Sequence, residues 1–299
     1  TTQPFSSHFC SRRGHISSKR HSLVPMFLFR GFGCCCSTDA QRPAEVEAVE
    51  ATNATLRLPE IAASASTPGE SSLWKAVAGG DSLEVSRLIA LRADVNQENP
   101  ESTPQSRRAT PLIAATRAGH VDVMKALLDS PHADVNATTD NEVQTNRSKQ
   151  TALHWAAREG ASDIVGLLLT HPHTDVNLQT AMGYPPLFVA AQQGCAEVVD
   201  LLVHDKRTDV HYVWTPPGSA LEADVIKVAI FDGRTEVVQV LLGSGRFDAA
   251  KINAVTQGPD SKSPVITDAA MLGHASIVSV LLDHAADPSV ANSKGLTTL

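Results

Sequence analysis

Apolar residues recur along most of this chain at the spacing of short helices rather than strands. The stretch "QTALHWAAREGASDIVGLLLTHPHTDVN", Gln150 to Asn177, shows the pattern best. Leu153 and Ala156 lie about one helical turn apart, and Gly160 follows. Ile164, Val165, Leu167, Leu168 and Leu169 then form a second run at helical spacing. Two helices are predicted, separated by a glycine able to adopt the left-handed backbone that ends a helix. The polar "DVN" predicts an extended loop after the second helix.

The same pattern occurs six times. Its apolar starts are Leu73, Leu112, Leu153, Leu187, Ile226 and Ile266. Each is followed three positions later by alanine (Ala76, Ala115, Ala156, Ala190, Ala229, Ala269) and seven positions later by glycine (Gly80, Gly119, Gly160, Gly194, Gly233, Gly273). An Asp comes fourteen or fifteen positions after each glycine. The small alanine allows helices to approach closely. One such unit cannot bury its own apolar face, whereas stacked units bury a continuous core.

These residues resemble the ankyrin repeats. The family's T-P-L-H-x-A-A-x-x-G-H signature appears as "TALHWAAREGA", "ATPLIAATRAGH" and, more loosely, "YPPLFVAAQQGC"; its G-A-D-V-N tail appears as "RADVN", "HADVN" and "HTDVN". The fifth and sixth units depart from it: "ADVIKVAIFDG" lacks the Thr-Pro opening, and Asp268 stands where an apolar residue is usual. The resemblance implies an all-α ankyrin-repeat solenoid of six helix-pair units with hairpin loops, starting near residues 71, 110, 151, 185, 224 and 264. It covers residues 71–299. It also implies that positions just before each glycine line a concave binding side, here Arg117, Ala118, Arg158, Glu159, Gln192, Gln193, Phe231, Asp232, Met271 and Leu272. These change from charged to apolar along the stack, as would suit a partner with a charged and an apolar end; the alternative is unselected solvent-facing variation. His154, at the signature's histidine, is implied to hydrogen-bond neighbouring loops.

The variation in spacing falls between the Asp of one unit and the apolar start of the next. Loops 97–108, 137–149, 212–222 and 249–262 are therefore the long ones, and in repeat proteins that edge often binds. The first two are polar. The third is "HYVWTPPGSA", which places Tyr212 and Trp214 beside two prolines. Aromatic anchors on a stiffened loop are common hot spots of interfaces; the alternative is that Trp214 folds back as a local plug.

Composition narrows the class further. At 42% hydrophobic but 4% aromatic, the chain suits closely packed helices, and its net charge of −7 argues against a nucleic-acid binder. No run of about 18 apolar residues predicts a membrane span. The five cysteines include no C-x-x-C pair, which argues against zinc or thioredoxin-like chemistry. Of the twelve histidines, His120, His154 and His274 fall at repeat positions, and those of "HPHTD" lie at an ordinary helix exit. No catalytic constellation, cofactor motif or metal site is expected.

Before Leu73 the repeat disappears. Residues 1–42 hold six Lys or Arg against one Asp, and residues 43–72 hold five Glu against one Arg. Residues 1–70 read as a disordered tail or linker. Within "MFLFRGFGCCCSTD", Cys34, Cys35 and Cys36 could accept palmitoyl groups and give membrane attachment. A chance cysteine run and a short signal peptide are the alternatives. At the other end, "SKGLTTL" repeats the spacing that opens the fourth unit, so a truncated seventh repeat is expected from residue 292, with apolar Ile277, Val280 and Leu281 of the sixth unit exposed. Glu84 and Arg87 give the first unit a polar outer face suited to a cap. The expected function is a non-enzymatic, cytoplasmic scaffold that binds a protein partner, membrane-associated only if the cysteines are lipidated. The alternative is the targeting portion of a larger kinase, ubiquitin ligase or channel.

Overall fold

The computed structural model describes residues 71–99, 109–139, 148–215, 222–257 and 262–298. Their helices form six pairs: α1 (Ser71–Gly79) with α2 (Ser82–Ala90), α3 (Pro111–Ala118) with α4 (Val121–Leu128), and α5 (Ala152–Glu159) with α6 (Ser162–Thr170). The series continues with α7 (Pro186–Gln193) and α8 (Ala196–His204), then α9 (Val225–Phe231) and α10 (Thr235–Gly243). A single turn, α11 (Ala249–Ile252), precedes α12 (Val265–Met271) and α13 (Ala275–Asp283). First helices pack on first helices and second on second, which makes two helical layers.

Local chemistry sets these short helices. Thr110, Thr151 and Asp224 cap first helices by accepting from the backbone N–H three residues on. Gly160 ends α5 at φ 71°, a left-handed conformation that costs glycine nothing. The core lies between the layers. Leu153, Ala156, Ile164, Val165 and Leu168 are all at most 2% exposed, and Ala156 and Ala190 are fully buried, as close helix approach requires.

Side chains also tie unit to unit. The Asn96 carboxamide donates to the His132 carbonyl and accepts from the Asp134 N–H; Asn136 does the same to His173 and Asp175, and Asn177 to Arg207 and Asp209. His211 occupies the next position and sets its ring edge-on against Phe247 instead. There Arg246 takes over, donating to the carbonyls of Val203, Asp205 and Thr208 at 3.0–3.2 Å. Asn253 resumes the ladder, to Ala285 and Asp287.

The long loops are pinched at their bases. Asn99 donates to Ala109, and Thr139 and Gln150 pair across the second loop. Trp214 and Ala223 exchange two backbone hydrogen bonds of 2.9 Å, and β1 (Thr256–Gln257) pairs antiparallel with β2 (Lys262–Ser263). The two-residue ribbon sits inside a hairpin loop and leaves the helical architecture unchanged. Loop 249–262 contains the extra turn α11, which the Asp248 carboxylate caps.

The sixth unit corrects one expectation. Ile277 and Leu281 are fully buried and Val280 is half-buried. These residues, spaced by helical turns, face α10 and α12, while Ser276, Ser279 and Asp283 take the exposed side with Leu282. In the first unit, Glu84 and Arg87 form a two-pronged ion pair at 2.7 and 2.8 Å on the exposed side of α2.

Candidate interaction face

First helices stack on first helices, so their last turns follow one another along one side of the stack. Arg117 and Glu159 are exposed on it, and Arg158, Gln192, Gln193, Phe231 and Asp232 are half-buried. Met271 at 60% and Leu272 at 38% exposure end the row. The progression from charged to apolar therefore exists in space, because each residue occupies the same place on successive stacked helices.

The units meet closely under this face. At four of the five junctions the residue after a helix-ending glycine reaches back to the preceding unit: His120 to Gly80, Cys195 to Gly160, Arg234 to Gly194 and His274 to Gly233. The Arg234 Nε also donates to the Gln192 carbonyl at 3.1 Å. A side chain at Gly233 would meet the His274 ring at 2.9 Å, so the glycine there serves packing as well as helix termination.

Two features distinguish the ends of the row. At the charged end, the Arg117 guanidinium lies 4.8 Å from the centre of the Trp155 ring. At the apolar end, Asp232 Oδ2 is buried without a hydrogen-bond partner, and burial pushes the carboxyl up to about 6 against the pull of Arg234. Burial, with the negative charge of Asp232 adding to it, also pushes Tyr184 up to about 12.

The aromatic loop folds back onto the stack. Trp214 is only 2% exposed: its ring stacks 4.6 Å from Tyr184 and its indole donates to the Met182 carbonyl at 2.7 Å. Gly183, at φ 80°, leaves room for it; an added side chain would stand 3.2 Å from the indole. Trp214 is thus a plug and not an exposed anchor, because the indole finds both a ring and an acceptor on the neighbouring loop. Tyr212 is half-buried, donating to the Gly183 carbonyl at 3.0 Å with its ring edge-on to Phe188. Val213, between them, is exposed at 44%.

His154 is fully buried at the start of α5. The Thr151 N–H donates to its Nδ1, and its Nε2–H donates to the Tyr184 carbonyl at 3.1 Å. It links unit three to the loop of unit four. Desolvation lowers its pKa to about 4, so the ring is neutral at physiological pH. Among the described residues there is no group of three His, Cys, Asp or Glu placed to hold a metal ion, and no helix is long and apolar enough to cross a membrane. Cys34, Cys35 and Cys36 lie outside the described residues.

Two features were missed in the sequence. Trp155 stands at the variable position of "LHWAA", where only its unusual size marks it. Lys227 replaces the signature histidine and is fully buried, 3.4 Å from the carboxylate of Asp268, which also accepts from the Ser263 hydroxyl. The signal was available, since Lys227 and Asp268 are each anomalous and lie in consecutive units.

A family model described as three copies of ankyrin repeats matches residues 137–212, and a single ankyrin-repeat model matches residues 107–140. The fold is similar to the crystal structure of the ankyrin repeat domain of Bcl-3, described as a unique member of the IkappaB protein family. That match has a TM-score of 0.61 and 25% identity, and covers 76% of this chain and 91% of that one. The human ASB11 ankyrin repeat domain has a similar fold, with a TM-score of 0.55 and 24% identity over 76% of this chain and 89% of that one. Among curated proteins, no sequence matches.

Proposed function

We propose that this chain, a member of the ankyrin-repeat family, is a non-catalytic scaffold whose protein partner lies along the exposed ends of its first helices. The observation that carries this reading is the continuous row from Arg117 to Leu272, charged at one end and apolar at the other. Stacked repeats turn such a row into an extended binding surface, and a few well-placed residues dominate affinity at interfaces. Among these, Phe231 and Met271 offer apolar anchors, while Gln192 and Gln193 offer adaptable hydrogen bonding. The loop edge contributes through Val213 and the free edge of Tyr212, with Trp214 holding that loop in place.

The test is affinity capture with the full chain, followed by binding measurements on the purified partner. Replacing Phe231 and Met271 with serine is expected to weaken binding by about tenfold or more, the loss typical of a hot spot. Replacing Lys125 on α4 and Ser276 on α13 with glutamate is expected to leave it unchanged. The reverse pattern would move the interface to the second helices and sink the proposal.

A further inference from the structure

We infer that the ends of α3 and α5 recognise an acidic segment of the protein partner, with Arg117 and Arg158 taking its carboxylates above the Trp155 ring. This rests on the proposed scaffold function and specifies the chemistry of one end of its face.

Three exposed cations on this stack are held in local ion pairs. Arg87 pairs with Glu84, Lys125 with Asp122 three residues earlier, and Arg207 with Asp205. Arg117 differs. The residues three and four before it are Ala114 and Ile113, and among the described residues no carboxylate reaches it. Its guanidinium rests on the Trp155 ring alone. A cation held over an aromatic face keeps its charge and stays available to a second ligand, because the ring satisfies none of its N–H donors.

The neighbourhood reinforces the sign. Lys75 lies exposed on α1 at the position equivalent to Trp155, and Arg158 follows one unit on from Arg117. Glu159 is the acid on this part of the face, one residue and about 100° around the helix from Arg158. Trp155 adds an independent indication. It is 9% exposed, and its indole Nε1 is buried with no hydrogen-bond acceptor. Buried donors are nearly always satisfied. A partner carboxylate at the ring edge would supply the missing acceptor, and the bidentate geometry of arginine suits a second carboxylate on Arg117. A carboxylate-bearing peptide fits better than a nucleic acid, since the chain carries a net charge of −7.

The experiment titrates the full chain with a fluorescein-labelled Glu-rich peptide and its Gln-rich and Lys-rich counterparts. The Glu peptide is expected to bind at least about tenfold more tightly than the Gln peptide, with the advantage shrinking as salt rises. Arg117→Glu with Arg158→Glu should abolish that advantage while the thermal melt stays unchanged; Lys125→Glu should not alter it. Should the double variant misfold, Arg117→Gln supplies the same test. Peptide binding should also change tryptophan emission, an effect lost in Trp155→Phe. Equal binding of the three peptides, or equal loss with Lys125→Glu, overturns the inference. Binding that appears only after the chain's own Glu45, Glu47, Glu50, Glu60 and Glu70 are changed to Gln also overturns it, by assigning the site to an internal occupant. If Phe231→Ser and Met271→Ser release the captured partner but the Glu peptide never binds, the scaffold function stands and this inference alone fails.

Discussion

His154 and Asp232 are both removed from water, and burial moves their protons in opposite senses. The unfolded His154 ring takes a proton near pH 6.5, the folded ring only near 4. Its contribution is therefore complete above pH 6.5 and disappears as pH falls through 4, about 3 kcal/mol in all. Asp232 is raised to about 6 from 3.8, so its burial costs nothing below about pH 4 and destabilises progressively as pH rises through 6. Partial exposure to water reduces that cost to ~1 kcal/mol. Asp232→Asn is thus expected to exceed the parent in stability by roughly that amount at pH 8 and to match it at pH 4, as measured by urea unfolding at both values. An NMR titration should place the His154 midpoint near 4. A midpoint near 6.5 would contradict the buried, doubly hydrogen-bonded imidazole described above.

Between α9 and α12, the Lys227–Asp268 pair replaces apolar contacts inside the stack. Removing one partner leaves a buried charge uncompensated, whereas replacing both with apolar residues of similar volume is often neutral or stabilising. Asp268→Ala should therefore cost about 3–5 kcal/mol, and Lys227→Met combined with Asp268→Leu should recover most of that loss. A double variant as unstable as the single one would show that the pair's partners, and not its charges, hold the interface. At this scale the sequence was informative about what is local and poor about what is not. The helix-ending glycines and capping residues such as Thr151 act within a few residues, so six helix pairs were legible. The partnership of Lys227 with Asp268 spans 41 positions, and the spacing of either residue alone does not reveal it. The same holds for Trp214, whose burial depends on the carbonyl of Met182 and the ring of Tyr184 in the preceding loop. Asp248 marked the end of a unit in the repeat pattern, yet its side chain caps the added turn α11.

Across the stack, helices pack between neighbouring units, so the apolar core divides into a series of similar interfaces. The asparagine ladder, its replacement by Arg246 at His211, and the contacts of Gly80, Gly160, Gly194 and Gly233 with the next unit all serve that series. Ile277 and Leu281 show where periodicity alone misled: apolar positions were legible, but not which side of α13 meets its neighbours. What differs from unit to unit is the row of first-helix ends, along which the proposed partner protein lies. Hydrogen–deuterium exchange of the full chain, alone and saturated with its captured partner, tests this most directly. Slowed exchange is predicted in the last turns of α3, α5, α7, α9 and α12, with α4, α6, α8 and α10 unchanged. Protection confined to the second helices would contradict the claim.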